Sequence, residues 1–220
     1  MSFVSQCSEA GQIAFPEYQG VRCMMMPFRF FDRGSIPIPF AGYRRIVDEM
    51  LDMSGMLWMT HEHFIGYLTV DEAFVRAGET HRRPGLHVDG VVEDGSIGGW
   101  GGGGGGWAAK GMLTAANRVG CRGWRQLFEG EPKPNGDCSH LASELRGDRE
   151  FLMKANSVYS CNSHFLHEAV PMQEDTLRQF IRISMPSNAP WYEGYTRNPM
   201  GIEPTGPIHP ARIEFMSFRP

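Results

Sequence analysis

The run Thr176-Leu177-Arg178-Gln179-Phe180-Ile181-Arg182-Ile183-Ser184-Met185 restricts the fold of this chain more than any other. Its side chains alternate with the period of a β-strand: Arg178, Phe180, Arg182 and Ser184 share one face, and Leu177, Gln179, Ile181, Ile183 and Met185 the other. Two arginines on one face of a β-rich strand need a reason, because a charge pointing into a core must be paired. A ligand bearing a carboxylate would supply the pairing, and the guanidinium fork suits carboxylates.

Upstream, Arg83-Pro84-Gly85-Leu86-His87-Val88-Asp89-Gly90 holds a histidine and a carboxylate two residues apart. On a strand, His87 and Asp89 point the same way and Val88 points opposite. Two such groups are two of the three ligands of a 2-His-1-carboxylate triad, the usual holder of non-haem Fe(II), which leaves positions open for oxygen and a cosubstrate. The segment Cys161-Asn162-Ser163-His164-Phe165-Leu166-His167-Glu168-Ala169-Val170-Pro171 offers two candidates for the third ligand. A rival metal pair, His61 and His63, has no obvious third partner nearby in the sequence.

The order His87-x-Asp89, then His167, then Arg178 resembles the Fe(II)- and 2-oxoglutarate-dependent oxygenases. The His167-Glu168-Ala169-Val170-Pro171 run resembles the surroundings of the distal ligand in prolyl-hydroxylase-like members. Arg178 follows His167 by eleven residues, close to that family's usual gap. The resemblance covers roughly residues 80–186. It implies iron held by His87, Asp89 and His167, with His167 preferred over His164. It implies that Arg178 binds the distal carboxylate of 2-oxoglutarate. Arg182-x-Ser184 also resembles the Arg-x-Ser of some members, so Arg182 is either a second contact to the cosubstrate or a clamp for an anionic substrate. In the family the strand after His-x-Asp lines the site, which makes Asn117 or Arg118 a candidate contact, with a structural role for Asn117 as the alternative. The implied reaction consumes O2 and 2-oxoglutarate, releases succinate and hydroxylates a C–H bond of a small molecule, amino acid or peptide. Asp89 favours hydroxylation over halogenation, since a halide would need its coordination position. The implied fold is a double-stranded β-helix, a cupin-like jelly roll, mainly β with supporting helices. Two other classes fit the same residues: a cupin-like metalloenzyme that does not use 2-oxoglutarate, and a non-catalytic jelly-roll binding or structural module.

The bulk properties agree with a single domain over residues 1–220, with the oxygenase barrel over roughly 21–186. Hydrophobic content is 41% and charged content 21%, ordinary for a globular protein. A net charge of −4 provides no basic field for duplex nucleic acid. No apolar run approaches the roughly 20 residues needed to span a bilayer. The N-terminus lacks a basic start and an apolar h-region, and the five cysteines show no paired spacing; together these imply reduced thiols in a cytoplasm.

Along the chain, Val21–Phe31 reads as a strand that Pro27 interrupts or ends. Phe40–Met53 reads as a helix, with Ile46, Val47, Met50, Leu51 and Met53 forming the stripe that packs on a sheet. Phe64–Phe74 reads as mixed strand and turn. Arg76–Pro84 reads as a solvated loop, or as an approach that places Arg82 or Arg83 at the substrate mouth. The glycine-rich insert at 98–106 is a flexible connector or a lid with Trp100 and Trp107 as contacts. Gly111–Cys121 reads as a strand, Ser139–Arg149 as a short polar helix, and Phe151–Cys161 as a strand pair. The Pro-rich tail, 187–220, is extended and packs on the body or on a second copy of the chain.

Overall fold

A computed structural model describes residues 2–30, 32–54, 64–89, 111–133, 136–184, 191–192, 194–206 and 208–209. The His61–His63 pair, the short strand expected at 56–59, the glycine-rich insert and the last stretch of the tail lie outside the described residues. The architecture is mainly β, with antiparallel sheets. In chain order the elements are β1 (Ser2–Val4), β2 (Cys7–Gln12), β3 (Arg22–Arg29), α1 (Arg44–Met53), β4 (Ile65–Val75), β5 (Met112–Ala116), β6 (Cys121–Trp124), β7 (Leu127–Glu129), β8 (Glu150–Leu152), β9 (Ser157–Cys161), β10 (His167–Ala169), β11 (Thr176–Ser184), β12 (Trp191–Tyr192) and β13 (Ile208–His209). A six-stranded sheet runs β2-β9-β5-β11-β4-β3, and a three-stranded sheet runs β10-β6-β8.

The alternation of β11 divides the large sheet into two faces. Ile181 and Ile183 join Leu68, Val70, Leu113, Ala115 and Val158 on one of them. Ile46, Val47, Met50 and Leu51 of α1 close over these residues to make the main core. Burying each such aliphatic side chain stabilises the fold by about 1.5–3 kcal/mol before entropy is counted. The helix begins four residues later than the stripe implies, because Ile38–Tyr43 forms a 3-10 turn. Pro39 and Gly42 within it are poor propagators of an α-helix. The opposite face of the sheet carries Arg178 and Arg182. Register sets its rows: Tyr159, Thr114, Arg182 and Thr69 lie abreast, as do Cys7, Cys161, Met112 and Ser184.

Several local expectations change. β4 is one unbroken strand of 11 residues, not a mixture of strand and turn. Its turn-like residues have other causes. A Cβ on Gly66 would lie 1.7 Å from the Phe30 ring, so only glycine fits there. Asp71 and Glu72 are buried but partnered: Tyr43 Oη and Gln179 Nε2 donate to Glu72, while Arg22 and Arg82 pair with Asp71. Pro27 neither interrupts nor ends β3, which is the edge strand and so has one side free of ladder bonds. The irregularity falls earlier, at a bulge between Cys23 and Met26 where Met25 takes φ 47°. Ser139–Arg149 forms two 3-10 turns rather than one helix. β8 and β9 belong to different sheets, and Asn156, at φ 59°, turns the chain between them. The described part of the tail packs along the β3 edge: Thr196 and Met24 exchange hydrogen bonds, and Tyr195 packs with Met24, Met25 and Tyr67. Among the described residues, no helix is long and apolar enough to cross a membrane.

Cys7 and Cys161 face each other across β2 and β9, with their sulfurs 2.8 Å apart. Sequence spacing gave no hint of this, since a cross-strand pair needs only register. Asn162 N donates to Gln6 O one step along, which makes Cys7–Cys161 a close, non-hydrogen-bonded pair suited to bridging. Diamide, which removes two hydrogens from a thiol pair, is expected to join them. Intact mass should fall by two hydrogens in the wild type and stay unchanged in Cys7→Ser; an unchanged wild-type mass would show that the two sulfurs do not meet.

Candidate metal centre

His87 and His167 are set by each other's backbone. His87 N donates to His167 O at 2.9 Å, and His167 N donates back to His87 O at 2.9 Å. This reciprocal pair lays the His87 segment beside β10 and puts both imidazoles on one side of it. On the other side, Leu86 and Val88 pack with Trp124, Phe128, Cys138, Leu141 and Leu166. The apolar neighbours of the His-x-Asp motif thus anchor it, and the alternation carries Asp89 to the histidine side.

The ring nitrogens are assigned by their partners. His87 Nδ1 lies 2.7 Å from Gly85 O, and His167 Nδ1 lies 2.8 Å from Phe165 O. A carbonyl can only accept, so both Nδ1 atoms carry the proton and both Nε2 lone pairs are free. Phe165 stacks on His167 with centroids 5.1 Å apart and planes at 5°. Gly123, opposite His167 in β6, makes room for that ring: a Cβ there would lie 2.2 Å from Phe165 Cζ.

Asp89 completes the group. Its Oδ1 is 4.0 Å from His87 Nε2, and its Oδ2 is 3.8 Å from His167 Nε2. The three ligand atoms all lie within 4.8 Å of one another. These separations are too long for hydrogen bonds. They are close to the roughly 3–4 Å expected of two ligands that each stand about 2.1 Å from a shared ion. Two neutral imidazoles and one carboxylate are a donor set that suits a divalent first-row ion, Fe(II) included. Burial and the nearby His167 pull the His87 pKa down to about 3, so its lone pair is available at neutral pH. Burial pushes the Asp89 carboxyl up, but Arg182 and the two histidines outweigh it and hold the group ionised.

The two arginines of β11 differ in their partners. Arg182 Nη1 donates to Asp89 Oδ2 at 2.8 Å, and its Nη2 points to Met25 Sδ at 3.5 Å. Ser184 Oγ approaches the same sulfur at 3.6 Å. Arg178 is 2% exposed and forms no ion pair with a carboxylate among the described residues. Its Nη1 lies 3.0 Å from His81 Nδ1, and its Nε has no hydrogen-bond partner among the described residues. Burial lowers its pKa to about 10. Gly120 leaves space beside it: a Cβ there would stand 2.8 Å from both Cζ and Nε of Arg178.

Of the other expected residues, His164 lies apart from the group, tilted against Phe3 at 5.5 Å and near Ser163. Asn117 is turned to the helix side of the sheet. It bonds Gln179 through both backbone and side chain, and it also bonds Leu177 O. Those bonds hold the end of β5 to β11, so the structural role describes it and the cosubstrate contact does not. Sequence reading passed over Asp71 and His81, which lie buried on the arginine side of the sheet. The signal was available: an aspartate inside the apolar run of β4 demands a partner. The approach segment is accordingly not a solvated loop at His81 and Arg82, since both reach Asp71.

No family model, no curated protein and no solved structure matches this chain.

Titration with Co(II), a spectroscopic substitute for Fe(II), should show uptake of a single ion with a visible ligand-field spectrum. Asp89→Ala and His167→Ala are each expected to weaken uptake by at least about 100-fold, the upper end of losses seen on removing mere supporting partners. His164→Ala should leave uptake unchanged. Equal binding by all four proteins would place the ion elsewhere.

Proposed function

We propose that this protein is an Fe(II)- and 2-oxoglutarate-dependent dioxygenase that hydroxylates a C–H bond of a small molecule or peptide. The observation that carries the reading is a pairing on one side of the sheet. A His-Asp-His group with free Nε2 lone pairs meets, through the Asp89–Arg182 pair, the sheet face that also carries a buried guanidinium, Arg178, with no carboxylate of its own among the described residues. The scaffold in this reading is a double-stranded β-helix, its large sheet β2-β9-β5-β11-β4-β3 facing the smaller sheet that His87 extends.

His87, Asp89 and His167 would hold the iron. Iron and the keto acid, when bound, supply the oxidation, with O2 as oxidant and succinate and CO2 as the products of the cosubstrate. The chain's own residues do the placing. The Gly85 and Phe165 carbonyls fix the two imidazoles and make their Nε2 atoms more basic. Arg182 holds one oxygen of Asp89, which leaves the other turned to the ion. Arg178 pairs with the distal carboxylate of 2-oxoglutarate. A buried guanidinium without a counter-charge costs several kcal/mol, and a carboxylate seated on it offsets that cost. Arg182 is already neutralised by Asp89, so Arg178 is the better of the two for this task. The apolar cluster of Phe165, Tyr159 and Met112, with Phe165 stacked on His167, would limit water on that side of the reacting C–H bond.

Anaerobic reconstitution with Fe(II), then O2 and 2-oxoglutarate, tests the reading. Formation of succinate, even without a substrate, is expected. Metal binding without any loss of 2-oxoglutarate would favour a cupin-like metalloenzyme; no metal binding at all would leave a binding or structural module. Arg178→Met should raise the KM for 2-oxoglutarate by at least about 30-fold, which corresponds to the smallest loss of about 2 kcal/mol for cutting a buried charge pair. Gly120→Ala, whose methyl group would press on the guanidinium, should weaken 2-oxoglutarate in the same direction and spare Co(II) uptake. Unchanged KM in both variants would move the cosubstrate site away from Arg178.

A further inference from the structure

The charges that gather around Asp71 have a use that neither metal ligation nor the Arg182–Asp89 pair explains. Asp71 is 1% exposed and stands in the middle of β4. Arg22 Nε from β3 lies 3.2 Å from its Oδ1, and Arg82 Nη1 donates to its Oδ2 at 2.9 Å. His81 Nε2 is 3.2 Å from the same Oδ2, somewhat out of line for a full hydrogen bond. The His81 side chain is 3% exposed, and its other nitrogen, Nδ1, meets Arg178 Nη1 at 3.0 Å. A guanidinium only donates, so Nδ1 is the acceptor and the proton sits on Nε2, toward Asp71. The run Asp71–His81–Arg178 thus crosses from β4 through the approach segment to β11.

We propose that His81 is a positioning residue for Arg178: a neutral imidazole, held in its Nε2–H form by Asp71, that aims the guanidinium at a ligand carboxylate without neutralising it. The proposal rests on the reading of Arg178 as the carboxylate anchor. A carboxylate in the place of His81 would fix the guanidinium equally well. It would also cancel the charge and compete with the ligand for the same donors. An imidazole gives direction and leaves the charge in place. The balance of charge agrees. Asp71 is the lone carboxylate in the run, and Arg22 and Arg82 already share it, so Arg178 has no claim on it. Burial and the neighbouring Arg178 and Arg82 disfavour a proton on Nδ1, while Asp71 opposes them; the net effect keeps the ring neutral at neutral pH. His81 lies outside the metal group, so its effect should fall on the cosubstrate and not on the ion.

Three proteins test this: the wild type, His81→Leu and His81→Asn. Asparagine can present Oδ1 where the imidazole presents Nδ1, and leucine presents nothing. The KM for 2-oxoglutarate should rise by about tenfold or more in His81→Leu, the scale on which loss of an orienting partner acts. It should return to within about threefold of wild type in His81→Asn, while Co(II) uptake and kcat at saturating 2-oxoglutarate change little in either. A second readout needs no cosubstrate: the nitrogen NMR signals of His81 in the metal-free wild type at neutral pH should report an Nε2–H tautomer whose Nδ1 shift moves in Arg178→Met. A wild-type KM in His81→Leu, or a ring found as Nδ1–H or charged, overturns the role of His81 even if 2-oxoglutarate is turned over. If the wild type binds Co(II) but never 2-oxoglutarate, the parent reading fails, and the tautomer measurement still decides whether His81 orients Arg178. Should His81→Leu fail to fold, His81→Asn and the NMR signals carry the decision.

Discussion

Two backbone hydrogen bonds, His87 N to His167 O and His167 N to His87 O, hold the site together. They fix the register of a short segment that would otherwise belong to no sheet. Because side chains alternate, a slip of one residue would turn His87 and Asp89 into the apolar cluster and bring Leu86 and Val88 to their place. Leu86 and Val88 prevent that slip, since they fill the space among Trp124, Phe128 and Leu166. The candidate metal group is thus positioned by hydrophobic packing on the reverse side of its own segment. Nothing in the site itself has to be strong for the geometry to hold.

Charge is the second constraint. The face of the large sheet opposite α1 carries Arg178, Arg182 and Asp71, with Asp89 reaching it from the segment beside β10. Arg182 and Asp89 cancel, and Asp71 is shared between Arg22 and Arg82. Counted over these six side chains the surplus is two positive charges, and the buried one without a carboxylate among the described residues is on Arg178. The protein carries −4 overall, so this local surplus is opposite in sign to the whole. A buried surplus of this kind either lowers stability or meets a ligand of opposite sign.

Part of this was legible in the chain and part was not. The strand of β11 could be read because Ile181 and Ile183 alternate with Arg182 and Ser184 in a run rich in β-formers. The stripe of α1 could be read because Ile46, Val47, Met50 and Leu51 recur at helical spacing. The candidate metal group followed from residue types in order, with His167 separable from His164 only by the Glu168–Pro171 run after it and by its distance to Arg178. β4 was misread because its charges and glycine look like turn signals when their partners are unknown. Asp71 needs Arg22 and Arg82, and Gly66 needs the Phe30 ring, and all of these are distant in sequence or on another strand. The pairing of Cys7 with Cys161 and the contact of His81 with Arg178 depend on register between strands, which a single sequence does not encode locally. Asn117 was placed at the correct strand end, but alternation puts it on the side of Leu113 and Ala115, where its amide meets Gln179 instead of the arginine side.

The difference between Arg178 and Arg182 shows what local pattern leaves open. Both sit on the same face of one strand, four residues apart, and both leave Nε without a partner among the described residues. Pattern alone makes them equivalent. Their roles separate through what lies opposite: Thr69 and Thr114 flank Arg182 in register, and neither competes with Asp89 for its fork. Arg178 instead lies across from Ala73, a side chain too small to touch the guanidinium, with Gly120 close beside it. One arginine is therefore drawn to Asp89, and the other is left in a space shaped for its own head group. That asymmetry arises from small residues, Ala73 and Gly120, whose contribution lies in the volume they leave empty.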